Sequence, residues 1–240
     1  MTAPTLYLFP NLLAELETTR DYLPTSIDAA VAGIVGLIAE SEKEARRFLK
    51  RFSFPPPKTF REIPLHLLNE HSTPADKKEL LAMILRGGKW GLVSDCGMPC
   101  LADPGADLVL MAREKGVQVH TFAGPSSILF ALVLGGLGGQ RFAFHGYLPK
   151  EEKELLRAVK SLEKTSREQL ATQLFIETPY RNQKMLQFLL QHLDPATYLS
   201  IACDLTLPTE QVWTLKVSEW KKRALPALDK RPAVFSILCK

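Results

Sequence analysis

The chain is poor in cysteine, has no apolar run long enough to cross a bilayer and carries no large excess of either charge. Each shortage removes a class of protein. Four cysteines in 240 residues, Cys96, Cys100, Cys203 and Cys239, are too few and too scattered for a disulfide scaffold. Cys96 and Cys100 lack C-x-x-C spacing and no histidine accompanies them, so no metal is expected. The thiols read as buried or loop residues of a reducing compartment. The apolar run at 128–134 is too short for a membrane span and is followed by glycines. Residues 1–16 lack the basic start and small-residue cleavage site of a secretory signal. A cytoplasmic protein without a membrane partner is expected. Neither glycine cluster is a nucleotide fingerprint. The one at 135–139 follows an apolar helix rather than a strand, and Gly87-Gly88-Lys89 does not complete a P-loop.

What remains is ordinary for a globular protein: 46% hydrophobic and 23% charged residues, in a length that can bury one large core or two modest ones. The formal charge of +4 is unevenly spread. Residues 1–140 hold 14 Lys/Arg against 15 Asp/Glu, a net of −1, whereas residues 141–240 hold 16 against 11, a net of +5. A basic second half permits a polyanionic partner. The glycine cluster is taken as the boundary between domains 1–140 and 141–240.

The chain is organised around residues 89–125. A short apolar run at 90–93 has the length and flanks of a buried strand. It breaks at Ser94-Asp95 into a loop, after which Asp103 reads as an N-cap with Pro104 at the first helical position. Leu108, Val109 and Ala112 give that helix its buried stripe, and Gly116 stops it. Residues 117–122 form the next strand, and Gly124-Pro125-Ser126-Ser127 opens the following helix. If the two strands are parallel neighbours, both elaborate turns lie on one edge of the sheet, where open α/β sheets bind ligands.

Elsewhere, strands are expected at 5–9, 31–39, 60–65, 141–146, 173–177, 198–203, 211–217 and 233–238, and a loop at 11–22. Helices are expected at 24–31, at 150–167, after Thr73-Pro74 with Leu80, Leu81, Ile84 and Leu85 inward, and from Thr178-Pro179 to residue 190. Ser41 to Glu44 has the capping-box pattern ahead of a helix burying Ala45, Phe48, Leu49 and Phe52. Arg46, Arg47, Lys50 and Arg51 lie off that stripe and read as a solvated basic face, with a phosphate-binding face as the alternative. His66 and His71 fall in a loop and read as incidental rather than catalytic.

At the central unit the sequence resembles a known family. Ser94-Asp95-Cys96-Gly97-Met98-Pro99 is similar to the S-D-A-G-T-P signature of the class III methyltransferases, part of the tetrapyrrole methylase superfamily. Asp103-Pro104-Gly105 and Gly124-Pro125-Ser126-Ser127 stand where that group carries S-D-P-G and G-P-S-A. The nearest branch methylates the ribose 2′-oxygen of a cytidine in small-subunit ribosomal RNA. Ala39-Glu40-Ser41, His145-Gly146-Tyr147-Leu148-Pro149, Glu177-Thr178-Pro179-Tyr180-Arg181 and Ala202-Cys203-Asp204-Leu205-Thr206 resemble further motifs of that branch, in order. The first loop departs from it: P-T-P-I-G-N is here Pro10-Asn11-Leu12-Leu13-Ala14-Glu15.

The resemblance implies two α/β domains, the first a mostly parallel sheet with helices on both faces and the second a mixed sheet. S-adenosyl-L-methionine would lie in the cleft between them, in an enzyme that is usually a homodimer. Carried over residue by residue, the cofactor contacts are Asp95, Gly97, Met98, Ser126, Ser127 and Ile128. Glu177 is the candidate base for a ribose hydroxyl, with Asp204 behind it; either carboxylate can equally be a structural partner of Arg181. The expected partner is ribosomal RNA or the small ribosomal subunit. Two rivals stand beside it: a methyltransferase of a small molecule such as a tetrapyrrole, and a non-catalytic relative that binds the cofactor or RNA.

Overall fold

The computed structural model describes residues 3–15 and 22–240. Of the segment read as a loop at 11–22, residues 16–21 lie outside the described residues. The chain forms two compact units, Met1–Ser126 and Ser127–Lys240.

The first unit alternates strands and helices: β1 (Thr5–Phe9), α1 (Ser26–Ala32), β2 (Gly36–Ala39), α2 (Glu42–Lys50), β3 (Leu65–Leu67), α3 (Pro74–Leu85), β4 (Lys89–Val93), α4 (Ala106–Glu114) and β5 (Gln118–Thr121). The five strands pair in the order β3-β2-β4-β1-β5, all parallel. Strand side chains alternate between faces, and the core divides accordingly. Leu6, Ile38 and Leu92 pack with Leu80, Leu81 and Ile84 of α3 and Leu108 and Ala112 of α4. Phe9, Leu37, Ala39 and Val93 pack instead with Ile27 and Val31 of α1 and Ala45, Phe48 and Leu49 of α2. A parallel sheet covered on both faces needs near-continuous apolar strands, and β2 and β4 supply them.

Several local expectations change. β4 and β5 are not neighbours, because β1 lies between them; since all three are parallel, the turns that follow them still share one edge. The helix expected from Asp103 begins only at Ala106, with Gly105 as its N-cap. Cys100 and Ala102 take positive φ angles of 68° and 67° and Gly105 one of 126°, so residues 100–105 coil tightly before any helix can start. Residues 60–64 form turns rather than a strand, and β3 is shifted to place His66 on it. There the Arg46 guanidinium donates to the Phe60 and Ile63 carbonyls, doing what a neighbouring strand would have done. Residues 31–35 finish α1 and turn before β2, and Leu85 is exposed. Ser41 caps α2 by accepting from Glu44 N–H, but the Glu44 carboxylate takes Arg47 instead of completing a box.

The second unit runs α5 (Ser127–Gly135), β6 (Phe142–Tyr147), α6 (Glu152–Gln169), β7 (Thr172–Ile176), a short 3-10 turn (Pro179–Arg181), α7 (Asn182–His192), β8 (Tyr198–Cys203), β9 (Gln211–Lys216), α8 (Val217–Trp220) and β10 (Ala233–Leu238). Its sheet is mixed, in the order β6-β7-β10-β8-β9, with only β6 and β7 parallel. One face carries Phe175, Leu199, Ile201, Phe235 and Ile237 against α6, α7 and Trp220. Phe175 and Phe235 stack at 5.6 Å with planes 6° apart. The other face receives α5 on small residues. Thr214 Oγ1 donates to the Gly135 carbonyl, and a Cβ at Gly135 would come within 2.8 Å of Ser200 Oγ. The apolar helix before the glycine cluster thus belongs to the second unit.

Candidate active site

Because every strand of the first sheet points the same way, the segments after β1, β2, β4 and β5 emerge at one edge. The β1 segment sits between those of β4 and β5 and ties them together. Asn11 and Gly97 form an isolated antiparallel bridge, with Asn11 N–H donating to Gly97 O (2.8 Å) and Gly97 N–H to Asn11 O (3.1 Å). Gly97 has a φ of 70°, which the turn requires and which a side chain would strain. On the other side, a Cβ at Gly124 would lie 2.1 Å from Pro10 Cβ and 3.6 Å from Met98 Sδ, so only glycine lets the β5 segment lie this close.

Asn11 is buried and uses its whole amide. Its Nδ2 donates to the carbonyls of Ser94 (3.0 Å) and Asp95 (2.9 Å). Its Oδ1 accepts from Leu12 N–H (2.9 Å) and from Arg51 Nη1 (2.6 Å). No other side chain of this length offers two donors and two acceptor lone pairs. Arg51 and Arg46 therefore do not belong to a solvated face: both hold backbone or amide oxygens. Burial, then the Arg47 cation, pull the Arg51 guanidinium below its ordinary range.

Asp95 is held from three directions. Its carbonyl takes Asn11, its N–H donates to Glu40 Oε1 (3.2 Å), and its Oδ1 accepts from Ser41 Oγ (3.0 Å). Glu40 and Asp103 complete a cluster of three carboxylates, and the nearby Ser94 side chain draws both of their carboxyls down against the effect of burial. Burial, then the negative charges of Glu40 and Asp95, push the Asp103 carboxyl up to about 7, against the pull of Ser94. Burial also raises Glu40. Among the described residues no lysine or arginine forms an ion pair with any of the three. Burial, then Asp103, Glu40, Asp95 and Glu44, push the Cys96 thiol up to about 11, and Cys100 rises likewise through burial and Asp103. Both thiols stay protonated at neutral pH and are poor nucleophiles.

Asp95, Gly97, Met98 and the buried Ser126 thus come together on this edge. Ser127 and Ile128 open α5 in the second unit. Glu177 follows β7 there and is buried. Its Oε1 accepts from Thr178 N–H at 2.7 Å, while Arg181 Nη2 lies 3.2 Å from Oε2 without the alignment to donate to it. Asp204 is consumed structurally by Arg231 Nε (2.8 Å) and Thr209 Oγ1 (2.9 Å). His66 and His71 line a cavity of about 360 Å³ with Asp76 and Glu79. Sequence reasoning missed that Asn11, Glu40 and Ser41 gather around Asp95 at this edge and took Asp103 for a cap. The departure of the first loop from its family pattern was the one signal that pointed at Asn11.

The profile of the tetrapyrrole (corrin/porphyrin) methylases matches residues 30–221. The chain belongs to this family. Among curated relatives, a ribosomal RNA small subunit methyltransferase I of Vibrio cholerae is 30% identical over 217 residues, which is 90% of this chain and 70% of the relative. The protein of that name in Thermotoga maritima is 34% identical over 156 residues, 65% of this chain and 68% of its own. Among solved structures, the methyltransferase CobJ covers 98% of the chain and 94% of its own with a TM-score of 0.62 at 17% identity. A diphthine synthase covers 98% and 90% with a TM-score of 0.62 at 15% identity. At such identities the structures speak for the fold alone. This tetrapyrrole methylase family member is an S-adenosylmethionine-dependent methyltransferase.

Proposed function

We propose that the chain transfers a methyl group from S-adenosyl-L-methionine to a ribose 2′-oxygen of small-subunit ribosomal RNA, as a cytoplasmic homodimer. The observation that carries the donor side is the carboxylate trio of the half-buried Glu40 and Asp103 and the exposed Asp95, without a cationic partner among the described residues. Buried charge without a partner is costly, and a ligand bearing an ammonium and a sulfonium is the kind that removes the cost. The bound cofactor would supply a methyl already activated on a positive sulfur.

The chain's own work is then binding and alignment. Asp95 receives positive charge, its position fixed by Asn11 and Ser41. Gly97 gives close backbone approach, and Met98 gives an apolar wall. The N–H groups of Ser126 and Ser127, where α5 begins, suit a carboxylate. Glu177 is proposed as the base for the acceptor hydroxyl, because its Oε2 keeps a lone pair to which no donor is aligned. Glu177→Gln would lower kcat while leaving cofactor affinity unchanged. The RNA acceptor rests on the names of relatives 30% and 34% identical, and the reducing compartment on four unpaired cysteines. The apolar side chains exposed at Val133 and Phe142 favour a second copy. Incubation of labelled cofactor with small ribosomal subunits, beside a tetrapyrrole control, tests the reading. Label in the RNA is expected, and label only in the tetrapyrrole would replace it with the small-molecule alternative.

A further inference from the structure

The mixed sheet has two ends of different character. Glu177, Asp204 and Arg231 lie where β7 and β8 finish and β10 starts. At the other end, where β8 starts and β9 and β10 finish, positive charge collects around one aromatic ring. Tyr198 is the first residue of β8 and pairs directly with Lys216 of β9 and Leu238 of β10. The ammonium groups of Lys216 and Lys240 each lie 5.5 Å from the Tyr198 ring centroid. Helix α8 is stitched over the same end by Val217 N–H to Thr197 O (2.9 Å), Ser218 N–H to Pro195 O (3.0 Å) and Trp220 Nε1 to Leu199 O (3.0 Å). It leads straight into the exposed Lys221, Lys222 and Arg223, the last lying 5.8 Å from the Trp220 ring centroid.

These five cations have no carboxylate partner among the described residues. The acids nearby are committed elsewhere. Glu219 accepts from the backbone N–H of Lys216, and Asp194 from that of Ala196. Glu163 is buried and takes Asp194 N–H, Thr197 Oγ1 and Lys160 Nζ. Nothing in the fold requires such crowding, which self-repulsion opposes. Cations flanking an aromatic ring suit an extended polyanion with stackable bases. Membrane surfaces favour an amphipathic helix with an apolar face, and the four-residue α8, with Val217 and Trp220 buried in the core, has none to offer.

We infer that this end of the second unit, centred on Tyr198, Lys216 and Lys240 and continued by Lys221, Lys222 and Arg223, is a contact for an RNA phosphate backbone. It deepens the ribosomal RNA reading and rests on it. With β8 six residues long at about 3.3 Å per residue, the contact lies roughly 20 Å from the Glu177 and Asp204 end. It serves to anchor the RNA rather than to act on it.

The test measures binding of the full chain to a small-subunit ribosomal RNA fragment over a range of salt. It compares the wild type, the triple variant Lys221→Gln, Lys222→Gln, Arg223→Gln and the double variant Lys216→Gln, Lys240→Gln. Each phosphate contact removed should flatten the plot of log affinity against log salt by about 0.7 to 0.9. The triple variant should therefore lose about 2 from the slope and bind at least about tenfold more weakly at low salt. Its melting temperature and its calorimetric affinity for S-adenosylmethionine should not change. Wild-type slope and affinity in both variants would overturn the contact and leave the RNA reading standing. Wild-type protein that binds the cofactor but shows no salt-sensitive RNA affinity would overturn both.

Discussion

The two units hold their acidic side chains in opposite ways. In the second, each buried carboxylate has a cation beside it: Glu177 has Arg181, Asp204 has Arg231 and Glu163 has Lys160. In the first, the half-buried Glu40 and Asp103 crowd against the exposed Asp95 with only hydroxyls and N–H groups to satisfy them. Where the cation also donates, as to Asp204 and Glu163, paired burial is a structural solution because the charge cost is met within the chain, whereas Glu177 keeps one oxygen without an aligned donor. Unpaired burial raises proton affinity and leaves the cost for something else to meet. By that criterion the proposed cation site falls in the first unit, and Asp204 of the second is built to hold loops.

If that contrast is right, breaking a pair in the second unit should cost stability, and breaking the bracing in the first should cost ligand affinity. The largest effect is expected from Arg231→Ala. Its guanidinium holds Asp204, Gln211 Oε1 and the carbonyls of Ala227 and Thr209. Removing it strands a buried carboxylate, at a cost of about 3 kcal/mol or more, and should lower the melting temperature by roughly 10 °C. Cofactor affinity per folded molecule should be unchanged, and a specific loss of affinity would blur the contrast.

Next is Asn11→Ala. It leaves the Ser94 and Asp95 carbonyls and Arg51 without their partner, at about 1–3 kcal/mol. Part of that should appear as about a tenfold weaker affinity for S-adenosylmethionine, read by calorimetry, because the Asp95 turn is what the amide holds. Asn11→Asp keeps the acceptor for Arg51 and sets a carboxylate against two carbonyls. Affinity lost in Asp as much as in Ala isolates the two donated hydrogen bonds; affinity retained in Asp would show that Asn11 acts only through Arg51.

The same contrast explains what could be read from the chain beforehand. Apolar periodicity places most helices and strands, with Thr5–Phe9, Tyr198–Cys203 and Ala233–Leu238 found at their expected bounds, because burial sets those patterns locally. Strand order is not local: nothing in residues 89–125 announces that β1 slips between β4 and β5. The strand expected at 60–65 failed because Arg46, remote in sequence, satisfies its carbonyls. Asp103 failed because Asp-Pro is a good helix start by itself, and only the folded loop turns its carboxylate toward Glu40. Asp95, Gly97 and Met98 could be named as candidates from the sequence because the signature is contiguous. The network of Asn11, Glu40, Ser41 and Asp103 was not, since its members are brought together from three separate segments of chain.

The smallest effect, and the sharpest in sign, concerns Asp103. Its carboxyl is raised from 3.8 to about 7 by burial first and by Glu40 and Asp95 after it. Between about pH 4 and 7 the unfolded chain has already released this proton while the folded chain still holds it. The contribution of Asp103 to stability therefore falls as pH rises through that window, and the penalty is complete above it. Asp103→Asn, which cannot ionise, should raise the melting temperature little at pH 5 and more at pH 8, measured without ligand. The cofactor should reverse the preference. A positive ligand near the cluster favours ionised Asp103, so the affinity of the wild type for S-adenosylmethionine should rise between pH 6 and 8, while that of the Asn variant stays flat. Equal pH profiles for the two would mean that Asp103 does not face the cation, and that Asp95 and Glu40 carry the site without it.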